Sequence, residues 1–245
     1  MRAMPGAAGA VSFVLAFIAV QLLLTRFARF ALDRPNERSL HERPVPRTGG
    51  IAVLLGTSAA VAFGADDLWL PLGLALVLAI AWLTNLYNFM DGADGLAAGM
   101  TVIGFAAYAV AATLADEPEL ATICLCIAAA SGAFLVFNFH PARIFLGDVG
   151  SIPLGFLAAA LGIVGWRDEA WPLWFPAAVF APSIADATLT LARRLLRGER
   201  VWQAHRDHYY QRMVRGGLGH RGTAYVAYAL MVLCAGAALV VMPRP

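Results

Sequence analysis

The sequence predicts an all-α membrane protein of about eight transmembrane helices, on three observations: its composition, the spacing of its apolar runs, and the placement of its charges. Of 245 residues, 60% are hydrophobic and only 14% charged. A soluble domain of this size is about half apolar and a quarter charged. Long apolar runs recur through the chain, and about 20 residues suffice to cross the hydrocarbon core as a helix. Charged residues gather in the segments between the runs.

The spans fall near Gly9–Phe27, Gly50–Ala65, Leu68–Leu86, Gly95–Ala115, Leu120–Phe137, Ile152–Trp166, Trp171–Leu191 and Thr223–Met242. The first reads as a retained span rather than a removable signal, because no small-x-small cleavage site precedes the polar segment that follows it. Cys124, Cys126 and Cys234 all lie within spans. They have neither disulfide nor zinc spacing and read as small hydrophobes. The whole chain, residues 1–245, reads as one transmembrane domain.

Charge sets the expected orientation. The chain has no lysine, so its 18 positive residues are all arginine. Fifteen of them fall on the side that holds Asn88, Arg143 and Arg200, and only Arg2, Arg167 and Arg244 on the other. The positive-inside bias places the arginine-rich loops, about 28–49, 87–94, 138–151 and 192–222, in the cytoplasm and both termini outside. The chain is expected to cross its membrane several times.

Polar residues of catalytic character concentrate on that side in four segments. Asp33–Gly50 is basic and punctuated by proline and glycine, so it reads as an ordered loop. Its guanidinium groups, Arg47 among them, suit bidentate phosphate binding; taken alone, a topogenic loop lying on anionic lipid is the simpler reading. Asn85–Gly95 carries Asn85, Asn88, Asp91 and Asp94 at intervals of three. A helical continuation would stack them on one edge, and helix capping accounts for at most two of them. Acids without cations beside hydrocarbon are costly, which favours a ligand or metal site.

The third segment, Phe137–Ser151, contains Asn138, Arg143, Phe145 and Gly147-Asp148-Val149-Gly150. Glycine permits close approach of a phosphate, and an aspartate there is a hard oxygen ligand suited to Mg²⁺ carried by a diphosphate. An Asp148 that merely caps the next helix is equally compatible with the local sequence. The fourth, Arg193–Arg221, includes His205, Arg206 and His208. Two histidines among arginines suit an anionic ligand, whereas a zinc site lacks further ligands at the right spacing. A basic interfacial helix is the simpler reading of this segment alone. Together the four segments match the needs of Mg²⁺-assisted phosphoryl transfer, which rests on metal charge and positioning.

At these residues the sequence resembles the polyprenyl-phosphate N-acetylhexosamine-1-phosphate transferases, bacterial relatives of phospho-N-acetylmuramoyl-pentapeptide translocase. Asn85–Gly95 is similar to the family's Asn-x-x-Asn-Phe-Met-Asp-Gly-x-Asp-Gly signature, and Phe137–Ser151 to its Pro-Ala-x-x-Phe-x-Gly-Asp-x-Gly-Ser signature. His205–Arg212 resembles the last cytoplasmic loop in the form seen in O-antigen initiating enzymes of lipopolysaccharide synthesis, and Asp186, Thr190 and Arg193-Arg194 fit the pattern ahead of it. The resemblance implies transfer of a sugar 1-phosphate from a UDP-N-acetylhexosamine to undecaprenyl phosphate, with release of UMP. It implies Mg²⁺ on Asp148, a nucleotide pocket lined by Asn88, Asp91 and Asp94, and Asn138 close to the metal and phosphates. Phe145 would stack on uracil, and His205 and His208 with neighbouring arginines would address diphosphate or sugar. Membrane lipid and a second copy of the chain complete the expected partners; nucleic acid is not among them.

The chain departs from that pattern once. The family carries an Asp-Asp pair between its first loop and the Asn-Phe-Met-Asp-Gly signature, on the cytoplasmic side. Here the sole such pair, Asp66-Asp67, falls in a turn expected outside, as though two consecutive spans were absent. An even number leaves every later loop on its proper side. The alternative expectation is therefore a slow or silent family member that still binds UDP-sugar or lipid, or serves as a scaffold. A transporter expects charge deep within its spans, and ranks third.

Overall fold

The computed structural model describes residues 5–25, 32–33, 45–46, 69–201, 203 and 205–243. Contacts divide the chain into two compact units, residues 1–77 and 78–245. The expected span Gly50–Ala65, and Arg47 beside it, lie outside the described residues.

The first unit contains α1 (Pro5–Thr25). At 1.5 Å per residue its length suffices to cross a bilayer. Phe13 and Phe17, one turn apart, are exposed and stack at 6.2 Å, as expected for an apolar surface meant for lipid. The expected loop that follows contains a short antiparallel ladder, β1 (Leu32–Asp33) with β2 (Val45–Pro46), in the register Leu32↔Pro46 and Asp33↔Val45. Apart from this ladder, the regular structure among the described residues is helical.

The boundary between the units falls within α2 (Trp69–Met90). The second unit continues with α3 (Leu96–Leu114), α4 (Pro118–Asn138), α5 (Gly147–Arg167), α6 (Trp174–Val179), α7 (Ala181–Leu196), α8 (Tyr209–Met213), a π-turn over Val214–Leu218, and α9 (Gly219–Val241). Five helical stretches among the described residues are long and apolar enough to cross a membrane. The expected spans at Leu68–Leu86, Gly95–Ala115, Leu120–Phe137, Ile152–Trp166 and Thr223–Met242 each correspond to one helix.

The central helix is α3, which packs along α4 and α9. Its Phe105 and Tyr108 are fully buried with Phe175 and Phe180. Tyr108 meets Phe180 edge-on at 5.8 Å and donates its hydroxyl to the Ala158 carbonyl at 3.1 Å. Buried aromatic hydroxyls need such a partner. Leu125, Val136, Leu233 and Val240 instead point outward, the arrangement expected where lipid is the solvent and the backbone is satisfied within each helix.

The expected single span Trp171–Leu191 is corrected to two helices, α6 and α7, separated at Phe180. Pro182 stands at the start of α7. It lacks the N–H that would continue the ladder from α6 and suits the first turn of a new helix. A hydropathy run does not register this break, because both halves are apolar.

Candidate functional site

The helix α2 ends at Met90, and residues 91–95 form a turn. Gly95 sits at φ +75, a conformation that costs glycine little. The expected stacking of Asn85, Asn88, Asp91 and Asp94 on one helix edge is therefore corrected: the helix stops after Met90, and the two aspartates diverge. The Asn85 amide donates back to the Ala81 carbonyl at 2.7 Å.

A second turn, with Gly147 at φ +64, opens α5 and places Asp148 in its first turn. The N-cap position of this helix is Leu146, which makes no side-chain capping bond, so Asp148 stands inside the first turn rather than at the cap. Its Oδ1 accepts from Asn88 Nδ2 at 2.7 Å, and the same amide reaches Ser151 Oγ at 3.2 Å. The Gly147 N–H donates to Asp91 Oδ2 at 3.0 Å. The two signature segments thus interlock. Their meeting depends on a close crossing one turn further into the helices. A Cβ on Gly155 would lie 2.7 Å from both the Leu83 carbonyl oxygen and Thr84 Cα. Only glycine allows α5 that near to α2, which brings Asn88 to Asp148 and Ser151.

The segment around α8 supplies the third wall, and Asp186 on α7 organises it. Asp186 Oδ1 accepts from the Tyr209 N–H at 2.9 Å and lies 3.2 Å from His208 Nδ1, while Oδ2 accepts from the Tyr210 N–H at 2.9 Å. Thr190 Oγ1 adds a bond to Oδ1 at 3.2 Å. A half-buried carboxylate held by this many donors fixes its surroundings. The Tyr210 hydroxyl donates to the Phe89 carbonyl at 2.7 Å, and a Cβ on Gly92 would meet that hydroxyl at 2.1 Å. These contacts close a cavity of about 600 Å³ lined by Asn85, Asn88, Phe89, Asp91, Gly92, Asp148, Val201, Gln203, His205, His208, Tyr210 and Gln211.

Burial, followed by the nearby charge of Asp148, raises the pKa of Asp91 even though the Gly147 hydrogen bond works in the other direction. Two carboxylates facing one cavity in this way favour a cation between or beside them. Burial, then the charges of Arg194 and His208, lower the pKa of His205. A neutral His205 fits its geometry, in which Nδ1 accepts from the Asp207 N–H at 3.4 Å. The tautomer with Nε2–H then leaves a donor available.

The expected site residues divide. Asn85, Asn88, Asp91, Asp148, His205 and His208 line the common cavity; Asp94, Asn138, Phe145, Arg143 and Arg206 are not among its lining residues. Asp94 Oδ2 receives His140 Nδ1 at 2.6 Å and the Ala142 N–H at 3.2 Å, while the Asp94 N–H donates to His220 Nδ1 at 3.1 Å. The two imidazoles lie nearly parallel, 5.4 Å apart. Asn138 is buried, accepting from the Gly95 N–H at 3.0 Å and donating to the Ile144 carbonyl at 2.8 Å. Phe145 is 74% exposed. Arg143 lies over the Phe137 ring at 4.9 Å. Arg206 lines a smaller cleft with His220.

Sequence reasoning missed Tyr210 and Gln211 as cavity walls, and His140 and His220 as partners of Asp94. A histidine at the start of the last span was the available signal for His220. For the others the contact partner lies too far away in sequence to be inferred.

Among the described residues no three His, Cys, Asp or Glu side chains form a closed metal-ligand set. The donor set present, Asp148 with Asp91 nearby, suits Mg²⁺, which takes one or two carboxylates and keeps water or phosphate oxygens as its other ligands.

Residues 47–166 match the family model for glycosyl transferase family 4. The chain is 27% identical over 290 residues to a probable undecaprenyl-phosphate N-acetylglucosaminyl 1-phosphate transferase of Bacillus subtilis (strain 168), covering 90% of this chain and 81% of the relative. It is 36% identical over 145 residues to the phospho-N-acetylmuramoyl-pentapeptide-transferase of Enterococcus hirae, covering 58% of this chain and 44% of that protein. The enzyme of that name from Enterococcus faecalis (strain ATCC 700802 / V583) is 33% identical over 173 residues, 69% of this chain and 53% of its own length. The chain thus spans about half the length of the two enterococcal relatives. In the Bacillus alignment only 90% of the 245 residues, about 220, take part over 290 positions, so roughly 70 positions of the relative have no counterpart here.

Proposed function

The chain belongs to glycosyl transferase family 4, and from that premise we propose that it transfers N-acetylhexosamine 1-phosphate from a UDP-sugar to undecaprenyl phosphate, beginning a lipid-linked cell-envelope glycan. The observation that carries this reading is the interlock of Asn88 with Asp148 and of Asp91 with Gly147, at 2.7 and 3.0 Å, on the wall of one cavity. In the reaction an oxygen of the lipid phosphate attacks the sugar-bearing phosphorus of the donor. The bond from that phosphorus to the bridging oxygen breaks, and UMP leaves with the electron pair.

The chain's own groups supply position and hydrogen bonds. Asn88 holds Asp148 in place, and Asp186 fixes the His208 ring through Nδ1. His205 and His208, which line the same cavity, address the diphosphate or the sugar. Mg²⁺ on Asp148, with Asp91 close by, would neutralise the charge that develops on the phosphate oxygens. Removing an electrostatic group from such a site costs on the order of a hundredfold or more in rate.

A slower or silent version of this activity is favoured by the roughly 70 positions without counterpart in the Bacillus alignment, which accord with the loss of two spans and their Asp-Asp pair. Asp186 does not replace that pair, since both its oxygens already accept from the His208–Tyr210 segment. The reading is tested by UMP release from purified protein with Mg²⁺, undecaprenyl phosphate and several UDP-N-acetylhexosamines, alongside binding of UDP-GlcNAc to the same preparation. Binding with slow release, abolished by Asp148→Asn, is expected. Grafting a relative's two spans with their acidic pair between Gly64 and Leu68 should raise turnover. A well-inserted protein that neither binds a UDP-sugar nor releases UMP would end the proposal.

A further inference from the structure

The segment that carries His208 and Tyr210 into the main cavity turns alternate residues the other way. Asp207 and Tyr209 line a second cavity of about 230 Å³, together with Arg193, Arg194, Arg197, Arg212 and Arg215. Five guanidinium groups meet few carboxylates there. Arg194 pairs with Glu199 at 3.0 Å and with Asp207, and Arg197 reaches Glu199 at 3.9 Å. Arg215 donates to the Gln211 and Arg206 carbonyls. Arg193 and Arg212 have no carboxylate partner among the described residues, and both lie over the Tyr209 ring, at 5.1 and 5.7 Å. Arg194 is only 9% exposed, and its Nε–H has no acceptor. A buried donor left unpaired beside like charges is unfavourable, and a phosphate oxygen would relieve both defects.

A neighbouring cavity says what carries that phosphate. It measures about 410 Å³, runs between α7 and α9, and is lined largely by apolar residues including Leu189, Met213, Val226 and Leu230. Tyr209 lines both cavities. A cationic recess that shares Tyr209 with an apolar cleft between α7 and the membrane-spanning α9 fits an amphiphile with an anionic head and a hydrocarbon tail.

We propose that these two cavities form a binding site for an anionic phospholipid. The arginine recess takes its phosphate, chiefly through Arg193, Arg194 and Arg212, and the α7–α9 cleft takes an acyl chain. The site is separate from the cavity of Asp148, with the His208–Tyr210 segment as the wall between them. It does not depend on the transferase reading. The bound lipid would brace the segment that presents both histidines.

The test uses the full chain, purified and stripped of lipid, then offered phosphatidylglycerol, phosphatidylcholine of the same chains, undecaprenyl phosphate, or inorganic phosphate. Retained lipid is read by native mass spectrometry, and binding by the shift in melting temperature. Phosphatidylglycerol should be retained in preference to phosphatidylcholine. The double variant Arg193→Gln/Arg212→Gln should weaken its binding by about tenfold or more, since each charge-assisted hydrogen bond is worth that much. Leu189→Trp, which fills the cleft and leaves the arginines intact, should also weaken phosphatidylglycerol, and it carries the test should the double variant fail to insert. Equal retention of the two phospholipids, or unchanged binding in a folded double variant, would overturn the site. Preferential retention of undecaprenyl phosphate, or an inorganic phosphate shift that matches phosphatidylglycerol, would overturn the assigned occupant.

Discussion

Asp91 and Asp94 stand three positions apart in one signature and take separate partners. Asp91 faces the main cavity, whereas Asp94 ties together the turn after α2, the residues after α4 and the start of α9. Burial opposes ionisation of Asp94, but hydrogen bonds from His140 and Ala142 and the charges of His220 and His140 outweigh it and lower the pKa. The unfolded chain therefore binds a proton more readily than the folded one. The stabilisation is complete above the ordinary aspartate value of ~3.9 and is lost as pH falls through the lower folded value. The melting temperature of the wild type should thus fall on acidification below about pH 4, and that of Asp94→Asn should fall less over the same range. At neutral pH the variant should melt lower, by about 2–4 °C for each kcal/mol lost. Equal acid profiles for the two proteins would show that Asp94 is not the anchor described.

Among the elements, the crossing of α2 and α5 decides the site more than either helix alone. At Gly155 even one methyl group would lie 2.7 Å from backbone atoms of α2, which cannot rotate away as a side chain can. Gly155→Ala should therefore cost about 1–3 kcal/mol through overpacking and loosen the contact between Asn88 and Asp148 one turn away. Gly236 on α9 has open space at the same position. Its replacement by alanine should be neutral or stabilising by about 0.5–1 kcal/mol through helix propensity. Thermal unfolding of both variants, with UDP-GlcNAc binding measured in each, separates a crossing effect from a general intolerance of alanine. A Gly155→Ala protein as stable as the wild type would remove the argument.

For the whole molecule, the placement of arginine predicts which loops face the cytoplasm, and the prediction is testable in intact cells. In a background without Cys124, Cys126 and Cys234, a cysteine at Asp168 should react with an impermeant reagent from outside. One at Arg200 should stay protected until the membrane is opened. Asp168 forms an exposed pair with Arg167 at 2.7 Å between α5 and α6, and Arg200 lies between α7 and α8, so neither change disturbs a buried contact. Reaction at Arg200 with protection at Asp168 would invert the topology. It would also place Asp66-Asp67 on the side where the family pattern carries its acidic pair.

What the sequence determined by itself was the class of the molecule, most of its helices and the segments that hold the chemistry. Long apolar runs can be read directly because lipid demands them of each helix separately, without reference to any neighbour. The two signature segments were legible for the same reason, as polar residues stranded at helix ends. Tertiary structure alone decided which of those residues meet. Asn88 and Asp148 lie 60 positions apart and come to 2.7 Å only because a glycine lets two helices cross closely. Asp94 left the expected edge because a glycine turn ended the helical period, and His140 and His220 became its partners across loops with no shared local pattern. The break at Phe180 was likewise invisible in hydropathy, which counts apolar residues and is blind to one missing backbone hydrogen bond. Transfer from water into lipid depends on each residue's own surface, whereas a site depends on distances between residues that only packing sets.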